Sequence, residues 1–213
     1  TPRDGFAIVS IGWITMAVFS ALPLYLSNYY FPNYHISYLN CYFEAMSGLT
    51  TTGATILGHS STVEIEGLTH GLLFWRSFTQ FIGGMGIIVF SLAILPMVGI
   101  GGVQLFRAEV AGPVADKLTP RVRKTAKLLW QIYLGLILAE ILALKLAGMS
   151  LFDSICHSFT TIATAGFSTK NTSILYYQSS LIEWIIIIFM FLAAINFSLH
   201  FLCFFKKKIE YFK

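Results

Sequence analysis

The sequence predicts an all-α integral membrane protein made of two parallel helix–pore-helix/filter-loop–helix repeats lining a channel-like pore. Three observations predict it. The 213 residues are 56% hydrophobic and only 11% charged, with a mean hydropathy of +0.72, whereas soluble domains carry about 25% charged residues. Four apolar stretches are long enough to cross a bilayer. Two short segments, Thr51-Thr52-Gly53-Ala54-Thr55 and Thr164-Ala165-Gly166-Phe167-Ser168, recur in matching surroundings. Gly53 and Gly166 stand 113 positions apart, and each precedes a long apolar run by fifteen positions, at Leu68 and Leu181. A duplicated unit of helix, half-helix, Gly-loop and helix is how membranes build cation filters from backbone carbonyls.

The first span runs from Phe6 to Leu26, and the others cover Leu68–Val98, Ala126–Ala147 and Leu181–Phe205. Pro23 and Pro96 fall near span ends, where a missing backbone donor costs least. Between spans one and two lies Leu39–Thr50, and between spans three and four lies Leu151–Ile162; both are apolar and too short to cross. Ser150 with Asp153 reads as a capping box that starts a helix near Leu151, and the offset places Asn40 opposite Asp153 for similar work. Both stretches read as re-entrant pore helices. An interfacial helix or an ordinary loop is the alternative, and the matched lengths and glycine positions weigh against it.

Of the 14 lysines and arginines, all but Arg76, Lys145 and Lys170 precede span one, follow span four, or lie around the loop between spans two and three. Both ends and that loop are therefore expected on the cytoplasmic side, and both Gly-loops enter from outside. The units then share one orientation, unlike inverted repeats. The expected division is residues 1–100 for the first repeat, 101–125 for a cytoplasmic loop and 126–213 for the second repeat. The middle loop, opening Gln104-Leu105-Phe106-Arg107-Ala108-Glu109, is a docking surface for a cytoplasmic partner or a plain solvated linker. The pI near 9.0 is explained by membrane orientation, so no nucleic-acid partner is expected; the partner is lipid. The chain opens Thr-Pro-Arg-Asp rather than with Met, which suggests a piece of something longer.

A cation enters a pore only if something replaces its water, and rings of backbone carbonyls do this. Aiming successive carbonyls inward needs dihedrals that glycine permits, hence Gly53 and Gly166. Thr51, Thr52 and Thr164 add hydroxyls, and each pore helix points the negative end of its dipole at the loop. The potassium-filter string TVGYG aligns with both segments, making the pore potassium-channel-like. The expected potassium-binding residues are Thr51, Thr52, Gly53, Ala54, Thr164, Ala165, Gly166 and Phe167, with potassium as substrate. No covalently bound cofactor and no transition-metal site is expected. The three cysteines are scattered, and the five histidines show no ligand spacing. There is no Ser-His-Asp arrangement, HExxH or phosphate loop, so an enzyme is not expected.

Longer motifs carry a family resemblance. The stretch from Arg76 through Ser77-Phe78-Thr79-Gln80-Phe81-Ile82-Gly83-Gly84-Met85-Gly86 to Val89 resembles the Trk/Ktr/HKT potassium transporters. Leu95-Pro96-Met97-Val98-Gly99, the Gln104–Glu109 segment, His157–Ala163 running into Gly166-Phe167-Ser168-Thr169, and Asn196–Phe201 resemble the bacterial TrkH type. The resemblance covers nearly the whole chain. It implies potassium uptake at a bacterial inner membrane, through a pore of four such repeats of which this chain holds the second and third. It also implies a homodimer and gating by a TrkA-like cytoplasmic nucleotide-binding subunit. In that family the second helix of repeat three is interrupted by a Gly-rich gate. Here the matching region, Ala193–His200, lacks the glycines, and Asn196, Ser198 and His200 are gate candidates or helix-packing contacts.

Other polar residues in apolar stretches have two readings each. Glu140 is a proton-coupling carboxylate in a symporter, or pairs with a neighbouring helix while Lys145 snorkels outward. Glu44 attracts cations or ties the first pore helix to Arg76, and His157 occupies the aligned position in the second. Gly83, Gly84 and Gly86 are a hinge or, the favoured reading, permit close packing. Besides the symporter, two alternatives stand: a two-repeat chain that dimerises to complete four pore loops, and a non-transporting fragment or interaction subunit.

Overall fold

Proline shapes the first span. The computed structural model describes residues 2–31, 35–58, 63–94, 122–195 and 199–200. Helix α1 (Pro2–Ser20) is followed by α2 (Leu22–Tyr30), and Ala21 between them keeps helical dihedrals, φ −72° and ψ −24°. Pro23 has no N–H to give the preceding turn, but the bonds Ala21 N–H to Ala17 O and Tyr25 N–H to Ala21 O, both 3.0 Å, carry the helix past it. The apolar span so formed reaches Tyr30, beyond the expected end at Leu26.

Two helices that stand apart from the long spans are short. α3 (Tyr38–Leu49) and α6 (Leu151–Ile162) have 12 residues each, about 18 Å at the α-helical rise, too little to cross a core of about 30 Å. They lie where the pore helices are expected. Ser150 Oγ accepts from the Asp153 N–H at 3.0 Å and donates to its carboxylate at 2.9 Å, closing the expected capping box. The first pore helix is capped by Ser37, whose Oγ accepts from the Asn40 N–H at 3.2 Å. Asn40 thus holds the place that Asp153 holds in the second pore helix, its N–H bound by the cap serine. Ser37 stands 113 positions before Ser150, so the caps obey the same offset as the glycines.

The longer helices are α4 (His70–Ile94), α5 (Val122–Leu146) and α7 (Ser180–Ala194). Helix α5 begins ahead of the expected Ala126. Helix α4 threads between the inner ends of the two pore helices, and glycines let it. A β-carbon on Gly83 would collide with the Leu49 carbonyl at the end of α3. One on Gly84 would lie 3.1 Å from Ala163 just past α6 and 2.8 Å from the Tyr133 hydroxyl of α5. Gly48 on α3 likewise meets the side chain of Thr79. These approaches match the close-packing reading rather than the hinge. Around them, Met85, Tyr133, Ile137, Ile162 and Ala193 form one core, while Leu24, Cys41, Ala45, Leu57, Leu72 and neighbours form another within the first repeat.

The fourth span differs from expectation. Instead of one helix from Leu181 to Phe205, α7 stops at Ala194, and Ile195 is extended at φ −71° and ψ 136°. The His200 ring nitrogen Nε2 lies 2.9 Å from the Leu192 carbonyl, so a side chain occupies an acceptor that helix continuation would have used. Asn196 and Ser198 lie outside the described residues, as do Pro96, the Gln104–Glu109 segment and most of the basic loop.

Candidate functional site

Each pore helix ends in the same fold-back. Thr51 N–H bonds Gly48 O at 3.1 Å and Thr52 N–H bonds Ser47 O at 3.0 Å; Thr164 N–H bonds Thr161 O at 2.9 Å and Ala165 N–H bonds Thr160 O at 2.9 Å. This is a Schellman termination, in which the residue after the cap adopts the left-handed conformation. That residue is usually glycine; here it is Thr51 (φ 54°) and Thr164 (φ 53°). A β-branched residue there costs on the order of 1–3 kcal/mol. The expected glycine conformations follow two positions later, at Gly53 (φ 74°) and Gly166 (φ 121°). The repeat thus holds to individual dihedrals. Strained threonines were not legible in the sequence, since nothing marks Thr51 or Thr164 apart from neighbouring threonines.

The two loops meet. A β-carbon on Gly53 would strike the Ala165 carbonyl oxygen and lie 2.8 Å from its carbonyl carbon. Among the eight expected filter residues, Thr52, Ala54, Thr164 and Gly166 are exposed along the loops, Thr51, Gly53 and Ala165 are half-buried, and Phe167 is buried. The Phe167 ring faces away from the exposed edge, with Arg76 4.4 Å from its centroid. Its backbone N–H donates to Gln80 Oε1 at 3.2 Å, while Ser47 Oγ donates to the Ala54 carbonyl at 2.6 Å. Nothing in the sequence pattern points to these roles for Ser47 or Gln80.

Behind the loops, each pore helix holds its own loop through a side chain at one aligned position. Glu44 Oε1 accepts from Thr55 Oγ1 at 2.8 Å, and Glu44 Oε2 from the Ile56 N–H at 3.1 Å. At the position aligned with Glu44, the His157 nitrogen Nε2 is 3.0 Å from Ser168 Oγ. Glu44 also pairs with Arg76, Nη2 at 2.8 Å and Nε at 2.9 Å, with both residues buried. The tie reading of Glu44 therefore matches the geometry. At the start of α6, Asp153 accepts from Thr169 Oγ1 at 2.6 Å and lies 4.0 Å from Lys170 Nζ. Burial works against its charge, but the bonds from Thr169 and Ser150 and the Lys170 charge prevail and hold its carboxyl below the ordinary 3.8. Above the loops, the Asn171 side chain accepts from the Ile65 N–H at 2.9 Å, a further join between the repeats.

Glu140 is fully buried in α5, where it faces Thr161 of the second pore helix and stands apart from the loops' hydrogen bonds. Lys145, five residues on, is exposed, as snorkelling requires. His200 packs back on α7 and is buried.

Twin half-crossing helices, each turning into a glycine loop and each backed by a full-length helix, define an all-α membrane protein of the pore-loop class. A family model described as TrkH, cation transport protein, matches residues 1–213. The chain belongs to this family, which is one of cation transporters and not of enzymes. It is 48% identical over 203 residues to the Trk system potassium uptake protein TrkH of Vibrio parahaemolyticus, covering 95% of this chain and 40% of that protein. It is 49% identical over 200 residues to the TrkH of Escherichia coli K12, and 41% identical over 209 residues to the Trk system potassium uptake protein TrkG of that organism. Those matches cover 93% and 98% of this chain and 40% and 41% of the relatives. The crystal structure of the potassium transporter TrkH from Vibrio parahaemolyticus superposes with a TM-score of 0.77 at 44% identity, over 95% of this chain and 38% of that one. The chain thus spans about 40% of the length of the curated relatives it matches.

Proposed function

We propose that this chain forms half of a potassium uptake pore in a bacterial inner membrane, with potassium passing in single file along the Thr51–Ala54 and Thr164–Phe167 loops. The observation that carries the reading is the paired fold-back: the same left-handed threonine and the same left-handed glycine follow each pore helix, and the two loops touch at Gly53 and Ala165. Such loops expose backbone carbonyls in succession at the negative ends of two helix dipoles, a setting that replaces the hydration of a cation. The relatives named as potassium uptake proteins favour potassium as that cation. The membrane potential drives entry, one charge moved across 100 mV being worth about 2.3 kcal/mol.

The rest of the arrangement follows the family. Both loops open to the outside, the basic segments and both chain ends face the cytoplasm, and residues 1–100 and 126–213 act as two of four repeats joined by loop 101–125. The full pore works as a homodimer under a TrkA-like nucleotide-binding subunit. The break after Ala194 lies where the gate is expected and supports Asn196, Ser198 and His200 as its neighbourhood. Glycine is not needed for the break, since Ile195 adopts an ordinary extended conformation.

The test replaces Gly53 or Gly166 with leucine in a protein carrying all four repeats and measures potassium uptake and potassium-over-sodium preference. Loss of uptake or of preference is expected. Unchanged uptake and preference in both variants would refute the filter assignment. A symporter reading is favoured only by the burial of Glu140; normal transport by Glu140→Gln would remove its basis.

A further inference from the structure

Arg76 does more than neutralise Glu44. It sits on α4 of the first repeat, is 2% exposed, and spreads its guanidinium over both repeats. Nε and Nη2 grip Glu44 on the first pore helix, Nη2 also donates to Thr55 Oγ1 at 3.2 Å, and Nη1 donates to the Ser168 backbone carbonyl at 3.2 Å. The ring of Phe167 completes the enclosure. Thr55 and Ser168 are aligned positions, each just beyond its filter loop. One planar, permanently charged group thus holds the two loop ends at a set separation, a task for which a fork of five donors is suited and an ammonium is not. The arrangement is one-sided, because the position aligned with Arg76 in the second repeat is Phe189.

From this geometry we propose that Arg76 is a positioning residue for cation selectivity, resting on the filter reading above. It does so in two ways. The bond to the Ser168 carbonyl keeps that oxygen turned to the protein and out of the ion path. The fork also fixes the gap between the loops, so they cannot draw together around an ion smaller than potassium. Its charge stays silent because Glu44 cancels it. Removing only the arginine leaves a buried carboxylate behind the filter; removing only the glutamate leaves a buried cation there.

The experiment uses the protein with all four repeats in cells lacking other potassium uptake, measuring potassium and sodium uptake for Arg76→Gln, Arg76→Lys, Glu44→Gln and the double Arg76→Gln/Glu44→Gln variant. Loss of a charged hydrogen bond corresponds to roughly a tenfold effect or more, so Arg76→Gln is expected to lower the potassium-to-sodium ratio at least about tenfold. Arg76→Lys should restore charge balance yet recover the ratio only in part. Glu44→Gln should lower uptake of both ions. The double variant has no unpaired charge, so it guards against a simple failure to fold; it should transport with the ratio still reduced. A double variant that transports with the unaltered ratio would overturn the proposal, as would an unaltered ratio in Arg76→Gln, as would failure of all four variants to reach the membrane, which would make Arg76 a folding residue. If the unmodified protein shows no potassium preference, the filter reading fails instead.

Discussion

At the scale of single residues, the two glycine loops are held by polar side chains set behind their backbone. Glu44 and His157 occupy aligned positions and make aligned bonds, to Thr55 and Ser168, though one is acidic and the other a neutral-or-cationic ring. The sequence pattern paired these two positions and suggested the Glu44–Arg76 tie. It could not show that Arg76 also reaches Ser168, since that depends on how α4 lies between the repeats. Asp153 offers a test by pH. Its folded-state carboxyl titrates below 3.8, so it stabilises the fold above that pH, and the contribution disappears as pH falls through the lowered value. In detergent, the melting temperature of wild-type protein should therefore exceed that of Asp153→Asn at pH 7, with the gap narrowing below pH of about 4. A gap independent of pH would show that Asp153 acts through shape alone.

At the scale of elements, the two pore helices were legible because length, cap and loop position repeat together. Ser37 was overlooked although the same offset that aligned the glycines points to it. Replacing Ser37 or Ser150 by alanine should each destabilise by about 1 kcal/mol, read by thermal unfolding. The effect at Ser150 should be the larger, since it also donates to Asp153. For α4, the glycine cluster had two readings in the sequence, and only the neighbours decide between them. Gly83→Ala drives a methyl into the Leu49 carbonyl and is expected to cost on the order of 1–3 kcal/mol. Gly135→Ala on α5, where a β-carbon meets nothing within 4 Å, serves as the control and should be neutral or slightly stabilising. Equal melting temperatures for the two variants would contradict the close-packing account. The fourth span reads as one helix because the residues up to Ile195 are as apolar as helix interior and no glycine or proline announces the break; the polar Asn196, Ser198 and His200 mark the place but fit helix packing equally well.

At the scale of the whole chain, the architecture followed from composition and the internal offset, whereas the joins between repeats did not. The Asn171–Ile65 bond, the Arg76–Ser168 bond and the Gly53–Ala165 contact each cross more than ninety positions of sequence, and no local pattern foretells them. These joins predict that the halves act as one body. Growth of potassium-starved cells should be rescued by the chain together with the other two repeats. Rescue by the chain alone would mean that two copies assemble a four-loop pore. The Arg76–Glu44 pair has a consequence for biosynthesis as well. Both partners lie within residues 44–76, on the hairpin of pore helix and following span. A nascent chain can therefore cancel these charges while entering the lipid, each of which alone would oppose insertion by a few kcal/mol. The third arm of the guanidinium, aimed at Ser168, stays vacant until the ribosome has made ninety-two further residues, so the last bond to Arg76 records that the second half has arrived.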